Sequence, residues 1–284
     1  MPDLRCPICT EPLHLTDDRA ALRCDHRHSF DIARQGYVSL LDGHSGSLRA
    51  DTADMVAARL RVHDAGILDP VVDATAGVVA GLIGRTDEVA PLVADLGGGP
   101  GAYLRACLRR VPPARGVVVD LSKYCARAVV RSEPAAAAVV ADVWRQIPLR
   151  TGAATIALSV FAPRNVTESA RVLGETGHLV IVSPQPDHLN ELVGPLGMLT
   201  VAPDKDDRIE AALSPLFEIT ERRTVRAVRS VGASQIADLV GMGPSAFHHD
   251  RAHVDEVADA VAAEFGGSVA VTVAVTLTVC RPAG

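Results

Sequence analysis

The stretch Val93-Ala94-Asp95-Leu96-Gly97-Gly98-Gly99-Pro100-Gly101 decides the fold class. A short apolar run closes on an acid, glycine fills four of the next six positions, and helical spacing begins at 102. Glycines there let the backbone approach a ligand closely and leave the amides of the following helix free to face it. Strand, glycine turn and helix in that order make the opening unit of a doubly wound α/β sheet, whose ligands collect outside the carboxyl ends of the strands.

Working outward, apolar runs at 92–96, 116–120, 135–141, 153–160 and 179–183 alternate with helical patterns at 102–110, 123–131, 166–173 and 187–196. That alternation predicts a parallel sheet covered on both faces. The last two runs, 217–228 and 268–280, alternate in side-chain character and leave little room for a closing helix, so they predict antiparallel strands at the sheet edge, with a helix at 234–241 between them. Upstream, 51–84 carries apolar residues at helical spacing, broken at Gly66 and Pro70, which predicts two lead-in helices. Residues 1–42 are turn-rich and cysteine-bearing, and Gly43-His44-Ser45-Gly46-Ser47 has linker chemistry. The expected organisation is a zinc-binding module at 1–42, a helical linker at 43–90 and a catalytic α/β domain at 91–284.

The module's zinc reading comes from its spacing. Cys6, Cys9, Cys24 and His28 give C-x2-C-x14-C-x3-H, in which two halves one hairpin apart bring four donors around one ion. His26 is the other candidate for the fourth place, and His28 closes the less strained turn. Four protein ligands leave no position for water, so the metal is expected to be structural. About forty residues scarcely fold without such a staple. The remaining cysteines, Cys107, Cys125 and Cys280, are dispersed and form no disulfide scaffold.

Two further acids sharpen the ligand. Asp120 ends the second strand 21 residues beyond Gly99, where a carboxylate would hold a ribose diol, and Asp142 ends the third, where an adenine amino group would donate to it. Each alone reads equally well as a helix cap; at successive strand ends, together with Asp95, they point to an adenosine ligand. The order Asp95-x-Gly-x-Gly-x-Gly resembles the motif of class I S-adenosylmethionine-dependent methyltransferases, whose sheet is Rossmann-like and seven-stranded.

Composition bounds the rest. The chain has 284 residues, 48% apolar and 22% charged, with a formal net charge of −6. A wholly disordered chain and an unselective polyanion binder are both disfavoured. No run approaches a membrane span and the first residues lack a signal peptide's apolar core, so a cytoplasmic protein with no membrane association is expected. Of the 28 basic residues only Lys123 and Lys205 are lysines, a bias that a GC-rich genome explains better than selection for binding does. Local basic sets stand out at Arg105, Arg109, Arg110, Arg115, Lys123, Arg127 and Arg131, at Arg222, Arg223, Arg226 and Arg229, and in the module at Arg19, Arg23, Arg27 and Arg34. These are candidates for phosphate contacts.

The zinc module, the phrase His-Ser-Phe-Asp-Ile-Ala-Arg-Gln-Gly-Tyr-Val-Ser-Leu-Leu at 28–41, Asp54-Met55-Val56-Ala57-Ala58-Arg59, the glycine loop, Phe161-Ala162-Pro163-Arg164-Asn165, the segment from Pro184 to Leu192 and Met242-Gly243-Pro244-Ser245 together resemble the 23S ribosomal RNA guanine-N1 methyltransferases of the RlmA type. The likeness covers nearly the whole chain and is greatest to the actinobacterial tylosin-resistance branch. It implies methyl transfer to N1 of a guanine in a 23S rRNA hairpin loop, in domain II near the macrolide site of the exit tunnel, with macrolide resistance as a consequence. It also implies a homodimer with a cleft for the hairpin between module and catalytic domain. S-adenosylmethionine would be the cofactor, S-adenosylhomocysteine its product, and one zinc ion the metal, on Cys6, Cys9, Cys24 and His28.

The expected cofactor set is Asp95, Gly97, Gly99, Gly101, Ala102, Asp120, Leu121, Asp142, Val143 and His188. Leu68 stands where some relatives have a tyrosine, in Gly66-Ile67-Leu68-Asp69-Pro70. His188 reads as the base for the guanine N1 proton, as a partner of the methionine carboxylate or as a helix cap; Phe161 reads as a stacking surface for the base or as core. Two other functions remain open at this stage: a methyltransferase for a small natural product, favoured by the acidic total and Leu68, and a catalytically silent RNA-binding relative.

Overall fold

The structure is a computed structural model, and it describes residues 3–41, 49–247 and 250–283. The expected boundary near residue 43, with its linker, lies outside the described residues. Three very short strands, β1 (His14–Leu15), β2 (Ala21–Arg23) and β3 (Ser29–Asp31), form an antiparallel sheet in the order β1-β2-β3. Next comes β4 (Val38–Ser39), then α1 (Ala53–Asp64), whose N-cap Thr52 accepts the Met55 N–H, and α2 (Asp69–Ile83), with Pro70 in its first turn. The bend between these helices falls where Gly66 and Pro70 predict it.

The large domain alternates as its periodicity predicts: β5 (Leu92–Leu96), α3 (Ala102–Arg110), β6 (Arg115–Asp120), α4 (Lys123–Ser132), β7 (Ala136–Val140), β8 (Ile156–Val160), α5 (Val166–Leu173), β9 (His178–Pro184) and α6 (Asn190–Leu196). Then follow α7 (Lys205–Leu213), β10 (Phe217–Val231), α8 (Ala233–Gly241), α9 (Arg251–Glu264) and β11 (Val269–Pro282). The sheet order is β10-β11-β9-β8-β5-β6-β7-β4. Strands β4 to β9 run parallel; β11 is antiparallel to both β9 and β10. The two closing strands therefore pair antiparallel as expected, but only β11 runs against the sheet.

The seven strands of the methyltransferase pattern are joined by an eighth. Val38 and Ser39 of the N-terminal lobe pair with Val139 and Val140 of β7, and the Leu40 N–H donates to Val140 O at 2.8 Å. A two-residue strand borrowed from another lobe has no periodicity of its own, which hides it in the sequence. Helices α7 and α9 also lie beyond the expected set; Val254, Ala258 and Val261 mark the buried face of α9 at i, i+4 and i+7.

Every residue of β5 and of β8 is buried, as strands covered on both faces require. One apolar cluster gathers α2, α3 and α8 on one face of the sheet; another runs from Leu4, Leu13 and Leu22 of the lobe through Leu149 into Leu92, Val117 and Ile181. The lobe thus shares a core with the large domain. No single described helix is long and apolar enough to cross a membrane.

Candidate functional site

The lobe brings its four donors together. The Cys6 Sγ to His28 Nδ1 distance is 3.6 Å, Cys9 Sγ to Cys24 Sγ 3.6 Å and Cys24 Sγ to His28 Nδ1 3.4 Å, with all four ligand atoms within 4.8 Å of one another. Bond lengths near 2.0–2.3 Å to zinc put the edges of a tetrahedron at such separations. Cys6 and Cys24 are buried, and it is His28, not His26, that joins them. The donor set fits one structural zinc ion.

At the other site, Asp95 is the fifth-strand acid on which the glycine loop folds. It is fully buried, and both carboxylate oxygens lack a hydrogen-bond partner among the described residues. Burial first and the charge of Asp120 second push its pKa up to about 7, opposed by the Leu104 amide at the start of α3. An uncompensated carboxylate inside a protein calls for a cation or donor. S-adenosylmethionine brings both in its sulfonium and ammonium groups, so the cradle fits that cofactor.

The loop must be glycine for local reasons. A Cβ on Gly98 would stand 2.4 Å from Asp95 Cγ, and Gly101 at φ +78° begins α3 against Val129. The Gly97 N–H donates to Val119 O at 2.7 Å and the Gly99 N–H to Asp120 Oδ2 at 2.9 Å, tying the loop to the second strand. Asp120 Oδ1 accepts the Ser122 N–H at 2.8 Å. Burial raises its pKa in spite of those two amides. Ala102 is buried in the first turn of α3, and Leu121 is half-buried after β6.

Asp142, just beyond β7, accepts the Trp144 N–H at 2.9 Å, and Val143 beside it is buried. Asp120 and Asp142 thus shape their turns, and each oxygen keeps a lone pair for a ligand. Leu68 is buried at the start of α2 in the same apolar cluster as Tyr103, Val160 and Leu189.

Phe161 and His188, far apart in sequence, stack with ring centroids 5.6 Å apart and planes 28° from parallel. Phe161 has φ +51°, a costly backbone conformation for an aromatic residue, and stays 41% exposed at the end of β8. His188 Nδ1 accepts the Ala274 N–H at 3.2 Å. Burial, with the Lys205 charge behind it, lowers its pKa to about 4 against the pull of Glu191.

Several residues of the site have no role that the sequence assigns to them. Tyr103 leans on Phe161 at 6.4 Å and on His63 at 5.4 Å, extending the stack into a row of four rings. The Arg59 guanidinium lies over Gly99, donating to Asp51 Oδ2 at 2.5 Å and to Met242 O at 2.6 Å. It thereby joins three of the separated sequence phrases. Arg164 and Lys205 stand near Asp206, whose oxygens accept from Ser183 Oγ at 3.1 Å and Thr276 Oγ1 at 2.7 Å.

The basic sets divide. On β10, Arg222 pairs with Glu210, Arg223 with Glu221 and Arg226 with Asp187, while Arg110 pairs with Asp73. Arg19, Arg23, Arg27 and Arg34 of the lobe are exposed and have no ion pair among the described residues.

Sheet order, reversed β11 and the acid-glycine cradle define a class I S-adenosylmethionine-dependent methyltransferase with a zinc ribbon at its N-terminal end. The family model for the RlmA N-terminal zinc ribbon matches residues 4–45. The 23S rRNA (guanine(748)-N(1))-methyltransferase of Streptomyces fradiae is 44% identical over 279 residues, 98% of this chain and 96% of that protein. A Micromonospora griseorubida protein, whose name carries the guanine-N1 reaction on 23S rRNA, is 42% identical over 99% of this chain and 98% of its own. The chain belongs to the 23S rRNA guanine-N1 methyltransferase family. Among solved structures, a methyltransferase of Geobacter sulfurreducens in complex with S-adenosylhomocysteine aligns with 74% of this chain and 91% of its own at 13% identity and a TM-score of 0.44.

Proposed function

We propose that the protein transfers the methyl group of S-adenosylmethionine to N1 of a guanine in a 23S rRNA hairpin loop in domain II, with macrolide resistance as the consequence. The carrying observation is the juxtaposition at one sheet edge of the unpartnered Asp95 carboxylate and the exposed Phe161 ring stacked on His188. The first supplies a place for a sulfonium nucleoside, and the second a surface for a base taken out of its stack.

Bound there, S-adenosylmethionine supplies an electrophilic methyl carbon. Asp95, Gly97, Gly99, Gly101 and Ala102 hold its methionine end, Asp120 with Leu121 the ribose, and Asp142 with Val143 the adenine. Leu68 contributes apolar contact only, since it has no hydroxyl. The enzyme's gain comes mainly from holding nucleophile and electrophile in line. Phe161 provides the platform for guanine, and backbone carbonyls around Ala162 and Pro163 read the base edge. Of the three roles open to His188, orientation of the methionine carboxylate agrees with its environment. Its Nδ1 already accepts a backbone amide and the ring is neutral, so the proton sits on Nε2 as a donor. Replacing it as His188→Gln is expected to raise KM for the cofactor about tenfold. The native kcat would show no limb near pH 6.5, the ordinary histidine value. A full limb there would restore the base role.

Reverse transcription of large-subunit RNA from cells with and without the gene tests the reaction, because methylated N1 blocks pairing and stops extension. Guanine 748, the position in the name of the Streptomyces fradiae relative, is the first place to look. An unchanged stop pattern overturns the reading. Radiolabel from S-adenosylmethionine appearing in a small molecule instead of RNA would support the natural-product alternative, which the acidic total and Leu68 favour. A homodimer accompanies the proposed function, and light scattering of the pure protein tests it.

A further inference from the structure

Arg164 and Lys205 are half-buried cations at the substrate edge, and neither side chain has a hydrogen bond or ion pair among the described residues. Asp206 is the acid nearest in effect to both, yet its two oxygens are engaged by Ser183 and Thr276. Burial lowers the pKa of each, and in Lys205 the Arg164 charge lowers it further. Two like charges held close together and partly shielded from water, without a matching pair of acids, form a site that becomes favourable when an anion enters.

Position says which anion. The acids of the adenosine cradle stand at the ends of β5, β6 and β7, whereas Arg164 is three residues beyond Phe161 after β8 and Lys205 opens α7 after β9. The Lys205 charge reaches the His188 ring, which is stacked on Phe161. The two cations therefore flank the ring platform, on the side away from ribose and adenine. A nucleotide whose base lies on that platform brings its own phosphodiester within a side chain's reach. Guanidinium offers a planar fork that matches phosphate, and ammonium a point charge beside it.

We propose that Arg164 and Lys205 form a clamp for a phosphodiester of the target nucleotide, fixing the extruded guanosine on Phe161. The clamp rests on the RNA reading given above.

Protein-free 23S rRNA transcript is the probe, with the full-length zinc-loaded protein. Filter binding across about 50 to 200 mM salt, initial methylation rates and calorimetric S-adenosylhomocysteine affinity are compared for native protein, R164A, K205A, R164K and K205R. Each alanine variant should flatten the slope of log affinity against log salt measurably, by at most about 0.7, the value for one single-strand phosphate contact. RNA KM should rise about tenfold, with cofactor affinity unchanged. The charge-conserving variants should keep the slope. An unchanged slope in both alanine variants overturns the clamp. So does lost cofactor affinity, which would give the pair to the methionine carboxylate, or an equal loss in R164K and K205R, which would make their role one of packing. Native protein that neither binds nor labels the transcript removes the RNA reading itself, a result visible before any variant is made.

Discussion

The N-terminal lobe and the large sheet reach order by opposite means. Strands of two or three residues make up the lobe's own sheet, and at its centre are four donors for a metal. In the large domain β5 and β8 are buried at every position, and β10 and β11 pair over almost their whole length. One region depends on a coordination shell, the other on aliphatic burial. The charges follow the same division: Arg222, Arg223 and Arg226 of β10 are spent on neighbouring acids, while Arg19, Arg23, Arg27 and Arg34 of the lobe are left to solvent. A surface that keeps its cations unpaired is fit to meet phosphates; a surface that neutralises them is not.

The most severe way to break this contrast is to remove the metal. Chelation, or Cys24→Ser, should abolish RNA methylation by about a thousandfold or more, since structural zinc binding supplies roughly 10 kcal/mol or more of folding free energy to such modules. Cofactor binding should persist within a few-fold, and calorimetry with S-adenosylhomocysteine checks it. Equal loss of both would show that the two regions fold as one.

Next in size is Asp95. Its pKa is raised from 3.8 to about 7, so the native state binds a proton that the unfolded chain has released between those values. The Asp95 contribution to the stability of cofactor-free protein is therefore complete toward pH 4 and lost as pH rises through about 7, by on the order of 2–4 kcal/mol. In Asp95→Asn that dependence should vanish, the melting temperature at pH 8 should rise, and cofactor affinity should drop about a hundredfold. Thermal melts across pH would show a flat native profile if the carboxylate has a partner in solution.

A smaller effect tests the weld between the regions. Leu4 bridges Leu149, Arg5 donates to Glu168 at 3.2 Å, and Arg171 donates to both oxygens of Glu168 at 2.7 Å. Side-chain exposures of 11% for Arg5 and 16% for Glu168 place this pair well inside. Burial opposes the charge on Glu168, but the Arg171 hydrogen bonds, the Ile147 amide and Arg5 hold its pKa below the usual 4.5. Its contribution is thus complete above 4.5 and lost as pH falls through the lowered value. Glu168→Gln should cost about 2 kcal/mol by chemical denaturation near neutral pH. No change would mean that the apolar seam alone joins the regions.

The smallest expected differences compare single arginines. Arg226→Ala should change stability by under about 0.5 kcal/mol and leave the salt slope of RNA binding alone. Arg27→Ala should reduce that slope by roughly 0.7. Identical slopes would erase the division of charge between the regions.

What sequence made legible is what is local. The glycine loop, the cysteine spacing and the alternation from 92 to 196 each depend on neighbours in the chain, and strand and helix fall close to their expected places. Contacts that depend on tertiary closure stayed hidden: the row His63, Tyr103, Phe161 and His188, the Arg59 bridge, and β4 on the edge of β7. Lone aromatic or charged residues give no periodic signal. The phrases holding Arg59, Phe161 and Met242 pointed to the family, but not to their meeting in space.

The seam carrying Arg5, Glu168 and Arg171 has one more consequence. Fastened by a backbone bridge, a part-buried ion triad and a common core, the ribbon is less a hand that closes than the fixed jaw of a caliper. Under the proposed hairpin reading, such a gauge would reject an ill-fitting RNA by its width before any base is inspected, and it would ask the RNA, not the protein, to bend.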